Sequence, residues 1–139
     1  MKCPGVLLAL LLTIIWLGCS DTPTESFPDD VFIYTSYDTS GIPAVSGWFT
    51  MTFSDSGAIS GDWHFSPVGN PQNIGPQTGE GNLIGGIDEN NVWIELNPQY
   101  IDHNLRLTGT LEGDRYTGEW QWISYVGVTN QGNFEAIRQ

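Results

Sequence analysis

A chain of 139 residues is long enough for one domain. Its formal net charge is −12, and past Cys19 the only basic side chains are Arg106, Arg115 and Arg138, set against 16 Asp and Glu. Such a surface excludes nucleic acid as a partner, because phosphates are neutralised by Lys and Arg. It is equally ill suited to lying flat on an anionic bilayer.

Lys2 precedes an apolar run over residues 6–17. A dozen apolar residues are too few to span a bilayer, which takes ~20, but they match the h-region of a signal peptide. The run closes on Trp16-Leu17-Gly18-Cys19-Ser20, which resembles the lipobox of bacterial lipoproteins. Gly18 and Cys19 fit that pattern, whereas Trp16 stands where the family carries Leu or another aliphatic residue. The resemblance implies diacylation of Cys19, cleavage before it and acylation of the new terminus. Cys3 would leave with the signal, so the mature chain would hold no disulfide. Acyl chains contribute ~0.8 kcal/mol per buried methylene, so several of them make a durable membrane anchor. Ser20, rather than Asp, implies sorting to the outer membrane by the enterobacterial pattern. An ordinary secretory signal with an incidental cysteine is the alternative. Residues 20–30, SDTPTESFPDD, are polar, acidic and aperiodic, the composition of a tether. The expected plan is a signal over 1–18, a lipidated N-terminus and tether over 19–30, and one domain over 31–139.

From Val31 the pattern changes to period two, with 17 glycines in the whole chain and no helical spacing. Eight strands are expected, over 31–37, 46–54, 57–66, 79–88, 91–97, 104–112, 115–124 and 131–138. The clearest pair is Leu105, Leu107 and Leu111 alternating with polar residues, a turn at Glu112-Gly113-Asp114, then Tyr116, Gly118, Trp120 and Trp122 in one phase. Ile59-Ser60-Gly61-Asp62-Trp63-His64-Phe65 repeats the second half of that hairpin. In both copies glycine shares the aromatic face, where a missing side chain lets a strand coil sharply. The expected fold is all-β, an eight-stranded antiparallel up-and-down β-barrel, with a β-sandwich as the alternative. Closing the meander removes exposed strand edges.

The connections after strands two, four and six are tight acidic turns. Those after strands one, three, five and seven, over 38–45, 67–78, 98–103 and 125–130, are expected to be longer. An up-and-down barrel places these sets at opposite ends, and the tether enters at the tight-turn end. The long-loop end should therefore face away from the membrane. Tyr37, Tyr100 and Tyr125 lie in or beside three of the long connections, and tyrosine offers a large contact face with a polar tip. Together with the Pro-rich 67–78 loop they form the expected binding rim, the alternative being that they cap the core.

No catalytic constellation is visible. His64 and His103 lack the accompanying ligands of a metal motif, and G-x-S-x-G and phosphate-loop patterns are missing. Asp62 and Glu119 occupy matching repeat positions and are the candidates for a glycosidase carboxylate pair, but they fall opposite the aromatics, where charge keeps a sheet soluble. The turn at Asp88-Glu89-Asn90-Asn91 lacks the spaced ligands of a calcium loop. No metal or cofactor is expected. Trp63, Phe65, Tyr116, Trp120 and Trp122 should point into the barrel with Phe49, Phe53 and Phe134, either filling it or lining a cavity for one small ligand.

The Gly-x-Trp run, the Thr-Gly-x-Trp hairpin at Thr117-Gly118-Glu119-Trp120 and the Pro-rich loop between strands three and four resemble the avidin meander across 47–137 and, less closely, the lipocalins. Around Gly61-Asp62-Trp63-His64-Phe65 the avidins carry a phenol and a hydroxyl that contact biotin. Trp63 and Phe65 stand there instead, and the family's ligand-binding Asp is missing near Gly132-Asn133-Phe134. Biotin is thus not the expected ligand. The expected function is a non-enzymatic, lipid-anchored binding barrel of the bacterial envelope. Its long-loop end would take a small apolar ligand or an envelope protein. The alternatives are an envelope inhibitor of a hydrolase such as lysozyme, inserting the 67–78 loop into an enzyme cleft, and a secreted hydrolase.

Overall fold

Alternation of apolar and polar residues is realised as nine strands in the computed structural model, which describes residues 30–139. They are β1 (Val31–Tyr37), β2 (Pro43–Thr50), β3 (Thr52–Phe53), β4 (Ala58–Pro67), β5 (Gly79–Asp88), β6 (Asn91–Glu95), β7 (Asn104–Glu112), β8 (Arg115–Ser124) and β9 (Gly127–Arg138). Every pairing is antiparallel, and β1 pairs with β9 to close the sheet. β2 and β3 are one path broken at Met51, and both pair with β4. The ring is therefore an eight-stranded up-and-down barrel, not a sandwich. No helix occurs among the described residues. The signal, Cys19 and the tether lie outside the described residues.

Phe32, Tyr34, Phe49, Phe65, Tyr116 and Phe134 are all buried and interlock along the axis. Tyr34 stacks on Phe65 at 4.2 Å between ring centroids, and Tyr116 meets Phe134 edge-on at 4.8 Å. These rings fill the midsection, so the barrel core is packed rather than hollow. Burial pushes both phenolic pKa values well above the ordinary one; a Ser36 hydrogen bond opposes this at Tyr34, and the charge of Tyr34 adds to it at Tyr116.

The sequence repeat proves to be a pseudo-twofold of the barrel. Trp63 on β4 packs over its partner Gly81 on β5, and Trp120 on β8 packs over its partner Gly132 on β9. Each indole then reaches one strand further. Trp63 donates from Nε1 to the Leu96 carbonyl at 2.8 Å, and Trp120 donates to the Tyr37 carbonyl at 2.8 Å. Gly61 and Gly118 complete the match, since a Cβ on either would stand 2.0 Å from a neighbouring backbone oxygen.

The two ends differ as the connection lengths imply, with two corrections. The expected first loop shrinks to residues 38–42 because β2 begins at Pro43. The expected seventh loop does not exist: Tyr125-Val126 is a tight turn, and β9 starts at Gly127, whose φ of +96° closes the hairpin. Its register slips once between Trp122 and Ile123, which let the β-pattern run past the polar Thr129-Asn130 pair. Phe53 is a third correction. β3 pairs with β4 alone, so no further strand covers its ring and it stays exposed. Asp30 enters at the tight-turn end, where its carbonyl accepts from Met51 N–H and Gln139 N–H reaches the Val31 carbonyl.

Candidate functional site

The loop-bearing end is built from residues 38–42, 68–78, 96–103 and the Tyr125-Val126 turn. The 68–78 segment decides its shape. Asn73 and Gly75 both take positive φ, at 54° and 60°, turning the chain back down onto the barrel. Ile74 then packs on the core, Pro76 and Gln77 are buried, and Gln77 donates from Nε2 to the Ile74 carbonyl at 2.9 Å. Gly75 lies so close to the Trp122 indole that a Cβ would come within 2.3 Å of it. Asn130 clips the segment from the other side, donating to the Asn73 carbonyl. The loop thus covers the mouth instead of protruding as insertion into an enzyme cleft requires.

Beside this cover a cleft of about 530 Å³ opens between the 38–42 and 68–78 loops, walled by Ile42, Pro43, Ala44 and Val68 with Asn70 and Gln72 at its polar side. A smaller recess of about 220 Å³ continues from Gln72 to Trp120 and Asn130. Asp38 borders both, but its Oδ1 already accepts from the Ser40 and Ile42 backbone N–H groups, so it shapes the loop. The larger volume lies in the range of small-molecule sites. At this end Gln77 Oε1 and Trp122 Nε1 are buried with no hydrogen-bond partner, although such groups are nearly always paired.

The predicted residues divide. Trp63, Phe65, Tyr116 and Trp120 are buried and face inward, while Trp122 is half-buried between core and cover loop. Tyr37, Tyr100 and Tyr125 all lie at the loop end, yet none lines the cleft. Tyr37 is half-buried and its carbonyl holds Trp120, whereas Tyr100 and Tyr125 are 53% and 80% exposed. The same end also exposes Ile42, Val68, Ile101, Val126 and Val128, which sequence reasoning passed over because single apolar residues in loops carry no period. Asp62 and Glu119 stand on strands four apart around the ring and both face outward, so they cannot work on one bond. Among the described residues no three His, Cys, Asp or Glu side chains gather as a metal site.

No protein-family model matches the chain, and no curated protein does. A solved structure, the rhizavidin–biotin complex, superposes with a TM-score of 0.50 at 14% identity, covering 81% of this chain and 92% of that one. The fold is avidin-like. At this identity the likeness concerns the barrel fold alone.

Proposed function

We infer that this chain is a non-enzymatic binding barrel of the bacterial cell envelope, anchored through a lipidated Cys19, whose loop-bearing end takes a small ligand. The observation that carries this is the concentration of recognition features at one end. The 530 Å³ cleft and the buried, unpartnered Gln77 Oε1 and Trp122 Nε1 occur there, whereas the opposite end carries tight acidic turns. A ligand with an apolar body and a few hydrogen-bonding groups suits this lining. Biotin, which rhizavidin binds, is not favoured, because Trp63 and Phe65 project where that family places polar contacts. Entry of residue 30 at the far end supports an orientation with the mouth facing away from the membrane.

The exposed Tyr100, Ile101, Tyr125 and Val126 favour a second reading, an envelope protein docking on the same end. Native mass spectrometry of the full chain, extracted in detergent, separates the two. A retained small molecule supports the first. Capture of one protein, lost in a Tyr100→Ser, Tyr125→Ser double variant that melts normally, supports the second. The anchor is tested by Cys19→Ala, which should release the protein from membranes or leave an unprocessed precursor. Unchanged membrane association and mobility would overturn it.

A further inference from the structure

The outer wall of a barrel is convex, but from the Ser56-Gly57 turn and the start of β4 across β5–β8 this one is indented, forming an open groove of about 700 Å³. The cause lies in three glycines of the inward phase. A Cβ on Gly85, Gly109 or Gly118 would come within 2.0–2.2 Å of a carbonyl oxygen on the adjoining strand, so the strands coil too tightly there for any side chain. On the outer side Trp93 lies across Gly86, where a Cβ would meet its Nε1 at 2.7 Å, and the indole remains 43% exposed. Its Nε1 makes no hydrogen bond to the described residues.

Trp93, Thr108 and Glu119 are direct cross-strand partners in sequence, β6 to β7 to β8. At ~5 Å per step this row spans roughly 10 Å, about the width of one pyranose ring with its substituents. Asn91 and Thr110 form a parallel polar row one register step away. No Lys or Arg lines the groove, and Glu119 and Asp88 make it negative.

We propose that this groove is a binding site for a neutral saccharide, separate from the mouth. The chemistry is complementary. A pyranose offers one face of C–H bonds, weakly positive, to the negative face of an indole. Its hydroxyls donate to the Glu119 carboxylate in a charge-assisted bond and exchange hydrogen bonds with Thr108, Thr110 and Asn91. Anionic sugars and phosphates are repelled by Glu119 and Asp88. An apolar ligand would leave that polar row unpaired, and so is disfavoured.

The test uses the full chain in detergent with cellohexaose and N-acetylchitohexaose as probes, read by tryptophan fluorescence and by retention on affinity gels containing the corresponding soluble polymers. Retention by one of them is expected, weakened at least ten-fold in Trp93→Ala, weakened less in Glu119→Gln, and unchanged in Trp48→Ala, which removes an equally exposed outer tryptophan elsewhere on the wall. No retention with either probe overturns the proposal, as does equal loss in Trp93→Ala and Trp48→Ala. Self-association by light scattering that Trp93→Ala abolishes, without saccharide retention, would assign the groove to a second copy and overturn it also. None of these outcomes depends on what the mouth binds.

Discussion

Gly118 offers the sharpest test of how this barrel is held together. It pairs with Gly109 across β7 and β8 in the inward phase. A Cβ at Gly118 would stand 2.0 Å from the Thr108 carbonyl oxygen and 2.5 Å from the Gly109 Cα. Both are backbone atoms, so no rotamer change can relieve the contact, and the ladder itself must open by about 1 Å or more to restore ordinary packing. Overpacking of this kind costs ~1–3 kcal/mol and at times more, and a pure backbone clash belongs at the upper end. Replacing a mid-strand glycine gains back roughly 0.5–1 kcal/mol through the unfolded chain. Gly118→Ala should therefore lose about 2–2.5 kcal/mol net, a fall in Tm on the order of 10 °C for a domain of this size. Thr117→Val, on the outer face one residue away, should stay within about 0.5 kcal/mol. Calorimetry of both variants beside the parent gives the answer. If Gly118→Ala melts within about 2 °C of the parent, or no lower than Thr117→Val, the close approach of β7 and β8 is wrong, and so is the inward phase.

Trp63→Phe and Trp120→Phe should destabilise by similar amounts, about 1–3 kcal/mol each, because each leaves one buried carbonyl, Leu96 or Tyr37, without its donor; denaturant midpoints differing by more than that range would break the pseudo-twofold. Gly75→Ala should unseat the 68–78 cover, since its φ is 60° and its Cβ would enter the Trp122 ring; faster limited proteolysis within 68–78, at little cost in global melting, is the expected outcome. Tyr34 and Tyr116 should resist ionisation in spectrophotometric titration. Burial raises their folded pKa above the unfolded value of 10.0. Their stabilisation is complete below pH 10 and is lost as the pH rises past it, by up to ~1.4 kcal/mol per pH unit for each; all five tyrosines titrating together in the folded state would refute this.

Period-two alternation, tight-turn residues and the glycine–aromatic repeat were enough to specify an up-and-down barrel, because each is a local consequence of which face of a strand is buried. β1, β5, β7 and β8 appear with the same bounds as expected. The sorting of connections by length likewise placed the candidate mouth and the entry of residue 30 at opposite ends. What local pattern could not decide depends on how strands coil around one another. Phe53 keeps the phase of Phe49 but lies past the break at Met51, beyond the covering strand. Val92-Trp93-Ile94 is continuously apolar, so periodicity cannot tell which ring faces solvent; only closure of the sheet shows Trp93 outside. The 67–78 loop is expected from sequence in the rim and, for an inhibitor, as a protrusion; Asn73 and Gly75 instead turn it onto Trp122, a contact between segments far apart in sequence. The outer groove depends on inward glycines from three strands, Gly109 and Gly118 as direct cross-strand partners and Gly85 one row away, which local pattern on any one strand does not reveal. The sequence determined which way each side chain alternates; the closed sheet determined which of those side chains have a neighbour to cover them.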